Sequence, residues 1–441
     1  MYPFIPLAWS LLTACGSDPE PLTCGEGELL DGETCVPEAC GTGTWGNLET
    51  DPDTVYVDAS AEAGGDGSED RPFTVIQEGL DAQDDKAMVA VAAGTYVENL
   101  LLGRDQSGVH LAGRCRALVS LDGSQGSAED DEGGAGLYLD GGLTSSWAVS
   151  GLTVTGAARA GLYQLGGRVT VEEVDFTQNG RFGLLLLSGQ AEVRAARVHD
   201  NQRGGVGAAG HTVTLDQVEV LRSRAEAGGQ WGRGIEVTTG SVLTVTDSTV
   251  ANNEDVGIYL VESEATLVDS ELHDNANVGL FGSESTVQMQ GCRVFDEEDR
   301  GSSWNRGINV QDSTLVATDS TLESVNGGAL SSYDSSVTLE GFDVLDARYG
   351  AGIYFDGFGQ LSATGCLVQG NDGAGLTLRE SQAVLTGCLF QENREAGLTI
   401  TGGQATLDAC EIGDTRPGDS GQGGFGIWAS ESDLVALDTR L

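Results

Sequence analysis

One short phrase returns thirteen times between Gly136 and Leu441, and a chain with such a repeat has few ways to fold. The phrase opens on Gly, usually Gly-Ile or Gly-Leu, runs through two alternating stretches, and reaches Asn or Asp before the next Gly. The opening glycines are Gly136, Gly161, Gly183, Gly205, Gly234, Gly257, Gly279, Gly307, Gly328, Gly352, Gly375, Gly397 and Gly426. Six of them follow an Asn by four residues: Asn179, Asn201, Asn253, Asn275, Asn371 and Asn393. The commonest spacing is 22 residues, and a fixed period of that size marks a stacked repeat architecture. Within one repeat, Gly257–Val261, Ala265–Asp269 and Ser270–Asn275 make three short runs of alternating polarity, the mark of strands. A leucine-rich repeat would place Leu at fixed positions and carry a helical half, and neither is present. The expected fold is an all-β, single-stranded parallel β-helix, with 13 coils stacked over roughly 60 Å.

Composition agrees with many tight turns: Gly fills 66 of 441 positions and Pro only 8. The formal charge of −46 argues against binding a nucleic-acid backbone, which needs clustered Lys and Arg. It argues equally against docking on anionic lipid through a basic face. Acidic side chains can keep a long extracellular rod soluble, and some could hold calcium.

Residues 1–15 read as an export signal. Leu12-Thr13-Ala14-Cys15 resembles the bacterial lipoprotein pattern, which implies lipidation at Cys15 and, with Gly16 following, an outer-membrane address. The apolar run is too short to span a bilayer, and it lacks the basic residues that usually precede it. Residues 16–52 read as a Cys-containing tether. Cys24 and Cys35 are the expected disulfide, with Asp31-Gly32 as the turn between them. Cys40 has Cys115 as a candidate partner, although connectivity does not follow from sequence. A zinc site is the competing reading, against which the Cys spacing and the absence of a nearby His both count.

Residues 53–115 read as an N-terminal cap: a strand at Thr54–Asp58, a short helix within Arg71–Leu80, and a strand at Met88–Ala92. Phe73, Ile76 and Leu80 would share one helix face. The string VYVD…GGDGSEDRPFTVIQEGLDA…VAVAAGTYVENL resembles the entry segment of bacterial right-handed parallel β-helix proteins of the pectate-lyase-like superfamily. That resemblance implies a right-handed β-helix, continued in weaker, repeat-only form through residues 116–441.

The candidate sites follow from the repeat. The recurrent Asn suits a structural ladder, because Asn tolerates left-handed backbone and can bond its neighbours above and below. Cys292, Cys366, Cys388 and Cys410 fall 13 or 14 residues after their Gly, where other repeats put Ala196, Ser270 and Ser320; a small inward side chain is the simplest reading. His199-Asp200 and His273-Asp274 sit in the ladder turn and read as surface residues. Three long intervals place insertions just before Gly234, Gly307 and Gly426. Two of them end alike, as Trp231-Gly232-Arg233 and Trp304-Asn305-Arg306, and the third has Phe425 and Trp428 nearby. An aromatic face beside a guanidinium suits a sugar ring with a carboxylate or sulfate, and equally suits Trp packing over the coil with Arg paired to an acid. Asp296, Glu297 and Asp299 in the second loop are a weak calcium candidate.

Polysaccharide lyases and hydrolases share the fold that the resemblance implies. Yet the lone lysine, Lys86, lies in the cap, and there is no Asn-Thr-Asp, Asp-Asp, His-Gly set or Asp-Pro-His-Asp. Fold alone does not carry function. The sequence is therefore read as an exported, envelope-anchored β-helix lipoprotein, a binding or structural platform for polysaccharide or another surface protein. The alternatives are a carbohydrate-active enzyme, or an adhesin or subunit that pairs through an open C-terminal coil.

Overall fold

The computed structural model describes residues 24, 28–31, 34–82, 88–127, 133–229, 231–297, 306–418, 421 and 423–441. One coil runs through three strands, for example Phe182–Leu187, Gln190–Arg194 and Arg197–His199. Each strand stacks on its counterpart in the next coil, giving three parallel sheets of 14, 16 and 14 strands. The first sheet holds the strands of up to six residues that begin each phrase, the second the five-residue strands, and the third the three-residue strands. The result is a parallel β-solenoid of about 14 turns, as the repeat predicts.

Alternation supplies the core. In the coil that starts at Val256, the residues Ile258, Leu260, Ala265, Leu267 and Leu272 point inward and are buried. Their counterparts join one continuous hydrophobic column from Val57 to Ile412, and each fully buried aliphatic side chain contributes about 1.5–3 kcal/mol. The corners explain much of the acid content. Glu262, Asp269 and Asp274 turn the three corners of that coil, all with φ near the left-handed region at 49°, 48° and 53°. Asp and Asn are enriched several-fold among non-glycine residues in that conformation.

The repeating Gly has a different cause. A Cβ on Gly257 would stand 2.5 Å from the carbonyl oxygen of Gly279 and 2.7 Å from Nδ2 of Asn275. The next coil leaves no room for a side chain there. The Asn side chains lie buried in the turn between the third and first sheets. Nδ2 of Asn253 donates to Oδ1 of Asn275 at 2.9 Å, and Nδ2 of Asn275 donates to the Val250 carbonyl at 3.0 Å. Asn179–Asn201 and Asn371–Asn393 repeat the arrangement. Each ladder amide satisfies backbone groups that a tight turn would otherwise leave buried and unpaired.

The cap departs from expectation at its helix. The helix is Ile76–Ala82, so Phe73 lies ahead of it. Phe73 bonds through its backbone to Tyr56 and Asp58 and forms a bridge with Val57 instead. The carboxylate of Glu98 accepts the N–H groups of Ile76 and Gln77 at 2.9 and 3.0 Å, which fixes where the helix starts. The described part of the Cys-containing tether carries regular structure of its own. Glu28–Asp31 and Thr34–Pro37 form an antiparallel hairpin, followed by a 3-10 turn at Glu38–Cys40. Buried Arg114 donates to Asp31 Oδ2 at 2.7 Å and to the carbonyls of Cys40 and Gly41. Cys24 is bonded to Cys35 and Cys40 to Cys115, so this segment is fastened to the cap rather than extended from it. No described helix is long and apolar enough to cross a membrane.

Candidate functional site

The long intervals before Gly234, Gly307 and Gly426 all fall at one corner, between the third and first sheets. They border the outer face of the first sheet. Trp231 stands at the end of the first of these insertions with φ 71°, a conformation that costs a bulky residue about 1–3 kcal/mol. The insertion is held in place because the Arg203 carbonyl accepts the N–H groups of Gly232 and Arg233.

This backbone brings aromatic rings and guanidinium groups together in alternation. The Cζ of Arg203 lies 5.4 Å from the centre of the Phe182 ring and 4.0 Å from that of Trp231. The Cζ of Arg233 lies 4.7 Å from the Trp231 centroid and 3.6 Å from the Tyr259 centroid. Tyr259 in turn stacks on Phe281, 5.1 Å away and nearly parallel. Phe182 can lie against the sheet because its neighbours are Gly204 and Gly207, where a Cβ would come within 2.8 Å of the ring. Each guanidinium–ring contact is worth about 0.5–2 kcal/mol. The strip Phe182–Arg203–Trp231–Arg233–Tyr259–Phe281 thus runs along the rod across several coils.

One carboxylate lies within it. Glu236 is paired with Arg233 at 3.1 Å, and Arg233 also faces Asp255 at 3.5 Å. Burial pushes the Glu236 carboxyl above the usual range, with Arg233 and Arg203 pulling the other way. Nε of Arg203 and Oε2 of Glu236 are buried and make no hydrogen bond within the protein, while Nε of Arg233 faces Asp255 Oδ2 at 3.5 Å. One buried donor and one buried acceptor therefore lack a hydrogen-bond partner beside the rings.

The sequence motif foresaw Trp231 beside Arg233 but not the packing of both Arg203 and Arg233 on the indole. The ring is half-buried against two guanidiniums rather than an open platform. Trp304 and Asp299 lie outside the described residues, as does Cys15. Arg306 begins a strand three coils from Arg233, roughly 14 Å along the axis, with its Cζ 5.8 Å from the Tyr333 ring. Asp296 is buried, and its Oδ2 accepts the Asn326 N–H at 2.8 Å. Among the described residues no cluster of three or more His, Cys, Asp or Glu could hold a metal ion.

His199 and His273 lie in different coils. The Asp200 beside His199 also binds Arg222 at 2.8 Å and Arg224 at 3.0 Å, whereas His273 stacks on Phe295. Cys292, Cys366, Cys388 and Cys410 are buried free thiols in one corner column. Burial pushes Cys292 and Cys410 up, and the bond to Cys366 together with burial does the same for Cys388, so these remain thiols. Arg203, Glu236 and Tyr259 were not read as site residues in the sequence. Tyr259 and Phe281, outward aromatics one 22-residue repeat apart, were the signal that could have pointed to the strip.

The right-handed β-helix region family model matches residues 135–301, 223–344 and 300–438. No curated protein sequence matches the chain. Among solved structures, the Agl-KA catalytic domain is 11% identical with a TM-score of 0.47, covering 88% of this chain and 69% of that one. A thermostable α-1,3-glucanase of Streptomyces thermodiastaticus strain HF3-3 is 14% identical with a TM-score of 0.45, covering 91% and 71%. The A-module of a mannuronan C-5 epimerase of Azotobacter vinelandii is 14% identical with a TM-score of 0.43, covering 86% and 99%. Three overlapping matches that together span residues 135–438, on a solenoid of three parallel sheets, place this chain in the right-handed β-helix family.

Proposed function

We propose that the chain is an exported, envelope-anchored β-helix whose first-sheet face binds polysaccharide laid along the rod. The observation that carries this reading is the aromatic–guanidinium strip that runs along the first sheet. The aromatic rings offer apolar surface to the C–H face of a sugar, and the guanidinium groups beside them are donors suited to its hydroxyl or carboxylate oxygens. Arg203 and Arg233 are the cations of the strip, and Glu226, Glu236 and Asp255 lie against them, so the strip presents donors without a net positive charge. Lipidation at Cys15 would hold the rod at the membrane, and Cys15→Ser should move it to the soluble fraction; retention would sink the anchor.

Binding is tested on an array of acidic and neutral glycans, with Trp231→Ala/Arg233→Ala alongside the parent. The parent should bind and the double variant should lose at least tenfold in affinity. Equal binding by both would remove the site from this face. A second reading has one observation behind it: Glu236, held toward its protonated form, lies near a second carboxylate, Asp255, the pairing that glycoside hydrolysis uses. Release of reducing ends, abolished in Glu236→Gln, would establish it; no release from any bound glycan would end it.

A further inference from the structure

Three of the four histidines face acids or carbonyl groups. His199 and His273 bond Asp200 and Asp274, and His211 lies between the Thr212 carbonyl and the side-chain oxygen of Gln164. His110 differs, with its Nε2 2.8 Å from Oγ of Ser150, 40 positions away. Both side chains project from the outer face of the second sheet, on the strands His110–Gly113 and Ser146–Ser150. The register puts Ala148 directly above His110 in the next coil, and this small side chain lets the imidazole reach diagonally past it to Ser150. Glu172 stands above Ser150, one coil further on. Burial holds the His110 imidazole below its usual value, with Glu172 pulling the other way. At neutral pH the ring is therefore uncharged, and with its proton on Nδ1 it accepts the Ser150 hydroxyl at Nε2.

Ser150 also lines a cleft of about 550 Å³ at the corner between the second and third sheets, a volume that suits a small molecule. Gly113 and Gly151 lie in it, and a Cβ on either would run into the carbonyl oxygen of the other. Pro37, Ala39 and Leu48 line it too, from the segment that the Cys40–Cys115 bond fastens to the cap. These side chains are apolar, whereas Ser150, Glu172 and Arg116 bring polar groups to the same space. Arg116 is held in place because its Nη1 donates to Asp175 Oδ1 at 3.2 Å and to the Ala195 carbonyl at 3.1 Å.

We infer that Ser150 and His110 are a nucleophile and its base, and that this cleft hydrolyses carboxylic esters with a small apolar acyl group. A serine hydroxyl is a weak nucleophile until a base within hydrogen-bond reach takes its proton, and 2.8 Å meets that requirement. Ser150 Oγ attacks the carbonyl carbon of the ester while its proton passes to His110 Nε2. The C–O bond to the alcohol then breaks, and the alcohol leaves with that proton. Water gives a proton to the same nitrogen and attacks the acyl-serine, releasing the carboxylic acid and restoring Ser150. Charge that develops on the carbonyl oxygen meets the Arg116 guanidinium, the cleft cation whose partners fix it from outside. Pro37, Ala39 and Leu48 receive the acyl group, which is why a small apolar one fits. The site lies on a different sheet from the arginine strip, so it stands or falls without the polysaccharide reading.

The test treats the full chain with a fluorophosphonate, which phosphonylates activated serines, and maps the labelled peptide; hydrolysis of p-nitrophenyl acetate and butyrate is followed alongside. The parent should take the label at Ser150 and turn over at least one ester. Ser150→Ala and His110→Gln should each lose at least tenfold in hydrolysis, and His110→Gln should also lose the label. His273→Gln should behave as the parent does, which separates this site from ester cleavage by any surface imidazole. Ser150 and His110 point outward, and an unchanged melting temperature checks the fold; labelling of the parent decides even where a variant fails to fold. A parent that takes no label at Ser150, or hydrolysis that survives Ser150→Ala, overturns the inference.

Discussion

The guanidinium of Arg233 sits 3.6 Å above the Tyr259 ring while its Nη1 holds Glu236 at 3.1 Å. One side chain therefore supports an aromatic surface and neutralises a half-buried acid. Arg233→Ala should destabilise the protein by about 3 kcal/mol, because Glu236 is left without its cation. Arg233→Ala/Glu236→Gln should recover much of that loss. Urea unfolding of both variants measures it, and equal losses would mean that the pair is not coupled.

The Asn ladder makes a sharper demand. Asn275 is buried, accepts from both the backbone and the side chain of Asn253, and donates to the Val250 carbonyl. Asn275→Ala leaves several buried groups unpaired and should cost about 2–4 kcal/mol. A loss below 1 kcal/mol by the same denaturation assay would show that the neighbouring coils satisfy one another without it.

Glycines can be sorted by what surrounds them. Gly257→Ala drives a methyl group against the Gly279 carbonyl and should lower stability by more than about 2 kcal/mol. Gly228, with nothing within 4 Å of an added Cβ, should tolerate Ala with no loss or a gain of up to about 1 kcal/mol. Matching melting temperatures for the two variants would contradict the close approach of the coils.

Acid should act on Asp200. Bonds from Arg222, with His199 and Arg224 adding to them, hold its carboxyl well below the usual range. A carboxyl lowered in the folded state stabilises fully above the unfolded value of about 3.9 and loses that contribution as pH falls through the folded value. Asp200→Asn should therefore show a shallower decline in urea midpoint between pH 5 and 2.5 than the parent. Parallel curves would assign the acid sensitivity to other groups.

Thiol accessibility checks the cysteine assignment. Without reductant, Cys292, Cys366, Cys388 and Cys410 should resist alkylation in the native protein and react once it unfolds. Cys24, Cys35, Cys40 and Cys115 should react only after reduction. Rapid native alkylation of the four repeat thiols would contradict their burial.

Much of the fold was legible because every coil repeats the same instruction. Alternation gave the inward residues, and the spacing of Gly and Asn marked the corner where the insertions emerge. What escaped were contacts with no periodic trace. Arg114 meets Asp31 across 83 positions, so beyond the candidate Cys40–Cys115 pair nothing in residues 16–52 announced that the segment is clamped. The sequence paired Trp231 with Arg233, two residues away, but Arg203 comes from the preceding coil. The charge of −46 suggested solubility, whereas Glu262, Asp269 and Asp274 show that many acids stand where the backbone turns left-handed.

The long insertions before Gly234, Gly307 and Gly426 share one corner and divide the molecule into a part that must stay constant and a part free to change. Lengthening a segment between the third and first sheets leaves the strand registers of all three sheets intact, since the next strand resumes at its own Gly. New side chains can thus be added beside the arginine strip with no redesign of the frame. The second-sheet face has less such freedom: nearly all of its corners are turns of two or three residues, so its chemistry changes mainly through single side chains.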